Sequence, residues 1–210
     1  MTSGVLLIGA SGLAREVLAA GIRGVAGILD DDEALHGTEI DGVRVLGSVA
    51  DAANREESLL ACVGSGAGRR TIVDRLRQAG VDESRYATFA ADSARIGRSS
   101  DVGSGSILLE GVVVTAHASV GHHVVVMPNC TITHDDEIGD FATLAAGVSL
   151  GGTVRIGEAA YVGMNACVRE GLSVGADATI GMGAVVLADV PNAQTWAGVP
   201  AAPLRGGGLR

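Results

Sequence analysis

VGHHVVVMPNCTITHDDEIGDFATLAAGVSLGGTVRI, residues 120 to 156, places an aliphatic side chain at every sixth position: Val120, Val126, Ile132, Ile138, Leu144, Leu150 and Ile156. The series extends outward in both directions. Ile96, Val102, Leu108 and Val114 precede it, and Val162, Val168, Val174, Ile180 and Val186 follow it, sixteen hexads without a break. The next residue is Gly in nine of them, among them Gly97, Gly121, Gly139 and Gly151, and two positions earlier the side chain is usually small, as at Ala118, Cys130, Ala142 and Ala160. This is an internal repeat. A period of six fits a solenoid whose coils each carry three short flat strands. The aliphatic residue fills the interior, the small one fits the corner, and Gly relieves crowding at the turn. Three hexads make an eighteen-residue coil, so the repeat predicts about five stacked coils.

Residues 1 to 92 read differently. Val5 to Ile8, Val25 to Leu29, Ser58 to Val63 and Tyr86 to Phe89 read as strands, and Gly12 to Ile22 and Gly68 to Ala79 have helical spacing. Strands alternating with helices imply a small parallel sheet. The predicted organisation is thus an α/β domain over 1–92, the repeat over 93–190 and a C-terminal tail over 191–210.

Composition narrows the chemistry. The net charge of −9 argues against a nucleic-acid or anionic-membrane surface. No apolar run approaches the length of a membrane span and no basic flank or cleavage site follows Met1, so the expected location is the cytoplasm. Cys62, Cys130 and Cys167 lie far apart and read as reduced, packed thiols. All 15 basic residues are Arg, which removes Schiff-base and Walker-type lysine mechanisms.

Four motifs carry a resemblance to a known family: GASGLAREV at Gly9 to Val17, LDDD at Leu29 to Asp32, ITHDDEIGDF at Ile132 to Phe141 and WAGVPAAPLR at Trp196 to Arg205. Over essentially its whole length the chain resembles the bacterial sugar acyltransferases that join a small Rossmann-like domain to a left-handed parallel β-helix. These are the sialic acid O-acetyltransferases and the N-acetyltransferases of nucleotide-linked amino sugars, including the enzyme of bacillosamine synthesis. The resemblance implies a homotrimer that uses acetyl-CoA and a nucleotide sugar and needs no metal.

Acetyl transfer from a thioester requires a base for the nucleophile's proton and a donor for the oxyanion. His134, two residues after the interior Ile132 and followed by acids, points outward and is the candidate base. By resemblance, Asp135 orients it. One coil beyond His134 lies Gly152, beside Gly151, where no side chain obstructs the backbone; the resemblance implies that the Gly152 amide contacts the thioester carbonyl. It also implies that acetyl-CoA runs past the C-terminal coils and tail, near Arg155, Gly198, Val199, Pro200, Ala201 and Arg205. For the acceptor, the strand-to-helix loop at Gly9, Ser11 and Gly12 is where backbone amides can receive phosphate. By resemblance this domain holds the sugar's nucleotide, with Asp30 and Asp31 near base or ribose, Gly64 and Arg69 closing the site and Thr143 touching the acceptor. Leu13 departs from the family, whose first loop often carries His there.

The favoured reaction is acetylation of the amine of a nucleotide-linked 4-amino-4,6-dideoxy sugar. O-acetylation of a sugar hydroxyl, as in sialic acid, would use the same base. His117, His122 and His123 raise a third reading, an intersubunit zinc site of the γ-carbonic anhydrase type, for which the upstream ligand is missing because His36 lies in the other domain.

Overall fold

The computed structural model describes residues 4–204. Its N-terminal part is one sheet of β1 (Val5–Ile8), β2 (Val25–Leu29), β3 (Glu39–Ile40), β4 (Val43–Gly47) and β5 (Ser58–Ala61), in the order β3-β4-β2-β1-β5. All neighbours are parallel except the β3–β4 hairpin. Helix α1 (Gly12–Ala19) follows β1 and is capped by Ser11, whose Oγ accepts from the Leu13 amide and donates to the Cys62 carbonyl at 2.6 Å. Helix α2 (Gly66–Gln78) follows β5 and is capped by Ser65. The hairpin and β4 extend what the sequence reading anticipated, and α1 ends three residues earlier than its apolar spacing suggested.

The hexads wind into a three-sided solenoid. The first face stacks two-residue strands from Arg95–Ile96 to Val185–Val186, the second from Asp101–Val102 to Ser173–Val174, and the third from Phe89–Ala90 to Thr195–Ala197. Each strand pairs in parallel with the one eighteen residues on, as Val114 with Ile132 and Val120 with Ile138. From Leu108 to Val186 every aliphatic residue of the series is buried; only Ile96 and Val102, at the open first coil, are not. Full burial of such a side chain contributes about 1.5–3 kcal/mol, repeated along the whole interior.

Two junctions differ from the sequence reading. The segment Tyr86 to Phe89 is not a strand of the α/β sheet: Tyr86 makes one bridge to Leu59, and Phe89–Ala90 then starts the third face of the solenoid. At the other end the tail does not leave the solenoid. Thr195–Ala197 pairs in parallel with Thr179–Ile180, and Ala202–Pro203 folds back on it antiparallel.

The N-terminal sheet packs against the third face. Its apolar side, with Leu7, Leu13, Val17, Leu60 and Cys62, shares one core with Ile107, Leu109 and Val125, outward-facing residues of the solenoid. Among the described residues no helix is long and apolar enough to cross a membrane.

Candidate active site

His134 stands on the turn between the first and second faces, 64% exposed, with Nδ1 2.8 Å from Asp135 Oδ2. Asp135 adopts φ 60°, a left-handed conformation that Asp tolerates and that turns its carboxylate toward the ring. Behind this pair Asp136 occupies the small-residue corner position of its hexad. It is fully buried, and its carboxylate accepts the amides of Thr133 at 2.6 Å and Val154 at 2.8 Å. Burial raises its pKa despite these bonds. Asp136 thus fastens the turn that presents His134, a role hidden in the sequence, where it reads as one more acid in a run of three.

The eighteen-residue stacking holds at this turn. The Thr153 amide donates to the His134 carbonyl at 2.9 Å, so Gly152 lies directly over His134. A Cβ built on Gly152 would collide with the imidazole Cε1 and Nε2. Glycine there leaves room for the ring, and the Gly152 amide donates to no acceptor among the described residues. A base nitrogen and an uncommitted N–H donor therefore lie side by side on an open corner.

Other expected site residues fall elsewhere. Arg155 lies on the second face, paired with Glu137 at 3.3 Å, beside a shallow groove of about 550 Å³. Gly198, Val199, Pro200 and Ala201 form the tip of the tail hairpin. There the Val185 amide donates to the Gly198 carbonyl, the Ala201 amide donates to the Val185 carbonyl, and Val199 is 73% exposed. The tip lies at the corner between the third and first faces, so within one protomer it is not beside His134. Arg205 lies outside the described residues.

In the N-terminal domain, Asp30 accepts the Ala10 amide at 2.6 Å and the Asp32 amide at 2.9 Å. Asp31 accepts the Val49 amide and pairs with Arg75 at 2.6 Å. Asp30 thus supports the loop from behind, whereas Asp31 ties the end of β2 to Val49 and α2. The amides of Ser11 and Gly12 have no acceptor among the described residues, which leaves the Gly9–Gly12 loop with open donors.

Arg69 and Thr143 correct the sequence reading. Arg69 is fully buried, and its guanidinium donates to the carbonyls of Val63, Gly64, His123, Phe141 and Ala142 and to Thr143 Oγ1, at 2.8–3.0 Å. All five donors are used, so none remains for a ligand. Burial lowers its pKa to about 10, which leaves it charged at neutral pH. Thr143 Oγ1 in turn donates to the Gly64 carbonyl at 3.2 Å, so this side chain also faces the junction and not an acceptor. Together they fasten α2 to two turns of the solenoid, with Gly66 pressed so close to the Phe141 carbonyl that only glycine fits.

The remaining histidines do not converge. His117 is on the corner of His134, one coil earlier; His122 and His123 are on the next corner, where His122 Nδ1 is 2.9 Å from Ser104 Oγ. His123 is 1% exposed, lies against Phe141 with ring centroids 5.1 Å apart and meets Tyr86 edge-on at 4.6 Å. No group of three potential ligands among the described residues is arranged to hold a metal ion.

The chain belongs to the hexapeptide-repeat acyltransferases. Residues 153–188 match the model of the hexapeptide repeat of succinyl-transferase. Across its length the structure is similar to the acetyltransferase domain of PglB from Neisseria gonorrhoeae, solved with acetyl coenzyme A. The two share 30% identity over 97% of this chain and all of that one, with a TM-score of 0.87. It is equally similar to PerB from Caulobacter crescentus, solved with CoA and GDP-perosamine, at 29% identity over 96% and 97% of the two chains and a TM-score of 0.87. WeeI from Acinetobacter baumannii, 24% identical over 95% and 99% with a TM-score of 0.69, shares the fold. A sequence comparison with curated proteins finds no match.

Proposed function

We propose that this chain transfers the acetyl group of acetyl-CoA to the amine of a nucleotide-linked 4-amino-4,6-dideoxy sugar, as a homotrimer in the cytoplasm. The observation that carries the reading is the pairing of His134 Nε2 with the uncommitted Gly152 amide on one open corner. His134 Nε2 takes a proton from the attacking amine while Asp135 holds Nδ1–H and stabilises the imidazolium. Nitrogen bonds to the thioester carbon, and the oxyanion forms against the Gly152 amide. As the intermediate collapses, the carbon–sulfur bond breaks and the imidazolium proton goes to the CoA thiolate. The products are the N-acetyl sugar and free CoA. The relatives solved with acetyl coenzyme A and with GDP-perosamine support this choice of donor and acceptor.

In this reading residues 1–92 are a Rossmann-like domain, with the nucleotide at Gly9, Ser11 and Gly12 backed by Asp30, Asp31 and Gly64. Residues 93–190 are a left-handed β-helix and 191–210 a tail. Acetyl-CoA lies between neighbouring copies, against Gly151, Gly152 and Arg155 of one and Gly198, Val199, Pro200, Ala201 and Arg205 of the next. The trimer is supported by the arrangement of parts: catalytic turn, nucleotide loop and tail hairpin occupy different sides of one protomer, so a second copy is needed to unite them.

The test is release of free thiol from acetyl-CoA with UDP-, GDP- and dTDP-linked 4-amino sugars and free sialic acid, comparing wild type with His134→Ala. Turnover on one amino sugar that collapses in the variant is the expected result. Turnover on sialic acid alone, or turnover that survives loss of His134, would overturn the proposal.

A further inference from the structure

On the first coil a groove of about 380 Å³ is lined by Arg95, Ile96, Gly97, Arg98, Val113 and Thr115. Both guanidinium groups are exposed, neither bonds to any partner among the described residues, and no carboxylate lines the groove. Arg15, Arg23, Arg44 and Arg169 are likewise without a partner among the described residues, but Arg95 and Arg98 line one groove together in a chain of net charge −9. Paired arginines with open donors suit a phosphate, which each can grip by two parallel hydrogen bonds.

The position of the groove follows from the stacking. The corner that bears His134 carries Ala116 one coil earlier and Arg98 two coils earlier, since each strand pairs with one eighteen residues away. Coils are spaced by the strand separation, about 4.8 Å, so Arg98 lies roughly 10 Å from the base along the column. Ala116 leaves the space between them open. The oxyanion donor Gly152 is on the opposite, C-terminal side of His134, which puts the thioester there and brings the nucleophile in from the side of Ala116.

We propose that Arg95 and Arg98 hold the diphosphate of the nucleotide-linked acceptor. The inference rests on the amino-sugar reading above. From the amine-bearing carbon of a pyranose, across the ring to the anomeric carbon and on to the two phosphorus atoms, the path is roughly five to seven bonds of about 1.5 Å, which spans the two-coil distance. The guanidinium groups supply positive charge at this groove, which suits a sugar diphosphate ester and not a free sugar.

The experiment titrates GDP, UDP and dTDP into wild type and Arg95→Ala/Arg98→Ala by calorimetry, and measures KM for each substrate in both. Thermal melting and acetyl-CoA affinity monitor the fold. The expected result is nucleoside diphosphate affinity and acceptor KM each worsened at least tenfold, acetyl-CoA KM within twofold, and partial recovery in Arg98→Lys. Equal binding of the diphosphates by both proteins, or none by wild type, overturns the proposal. Diphosphate binding that depends on the arginines, without acetylation of any amino sugar, upholds the groove and rejects the acceptor assigned above.

Discussion

Two neighbouring corners of the solenoid carry histidine on the same kind of turn, and they have opposite fates. His134 projects into solvent beside Asp135, whereas His123 is sealed between Tyr86 and Phe141, with Nε2 3.1 Å from Glu83 and Nδ1 without a partner. Backbone geometry sets them one place apart: His123 takes the left-handed position of its turn at φ 54°, as Asp135 does at φ 60°, and His134 is the residue before it. The covering differs as well: α2 and the segment after it close over the corner of His123, and nothing among the described residues closes over that of His134. A repetitive backbone thus offers the same turn at each corner, and the place within the turn together with the cover of the N-terminal domain decides which side chains become core and which remain free for chemistry.

The sharpest way to break this contrast is to exchange effects between the corners. His134→Ala should lower kcat by about 10²- to 10⁴-fold with the melting temperature unchanged, as steady-state kinetics and calorimetry would show. Arg69→Ala should do the reverse. Removing a buried guanidinium strips the hydrogen bonds from carbonyls of His123, Phe141 and Ala142, and should cost about 3–5 kcal/mol in denaturant unfolding. Asp136→Ala acts on the catalytic corner from within: the Thr133 and Val154 amides lose their acceptor, at about 1–3 kcal/mol in the same assay, with kcat reduced through a loosened turn.

The smallest effect is electrostatic. Burial, the largest influence, lowers the pKa of His123 below its ordinary 6.5, against the opposing pull of Glu83 and with His122 and Arg69 adding to the decrease. The unfolded chain therefore binds this proton more readily than the folded one. The contribution is fully present above pH 6.5 and is lost as the pH falls from there through the folded pKa. Melting temperature should decline over that window, and His123→Phe should flatten the decline. A decline of equal depth in the variant would assign it to other groups.

Features set by the local period were legible in the sequence. The interior series, the Gly positions and the adjacency of residues 134 and 152 follow from counting, because a solenoid translates sequence distance directly into space. Features set by long-range packing were not. Arg69 looks like any cation after a glycine-rich loop, and only the docking of α2 onto the turns at 123 and 141 reveals that it has no donor to spare. Thr143 sits on an outward position of its strand, which is not buried on the other two faces and is covered here, as at Ile107 and Val125, by the N-terminal domain. The tail reads as an appendage because its pairing with Thr179–Ile180 lies outside the six-residue period. Asp136 was hidden for a local reason: it replaces the small corner residue with a carboxylate that mimics a backbone acceptor.

The tail hairpin has a further consequence for how the chain behaves among many copies of itself. A stack of parallel strands ends in unpaired amides and carbonyls, a surface onto which another stack could dock and grow into a filament. On the third face Ala202–Pro203 runs against the direction of every coil beneath it, and Pro203 has no N–H to offer. On this face the last described strand thus offers an incoming coil the wrong direction and one donor fewer, which works against growth of the repeat into a fibre.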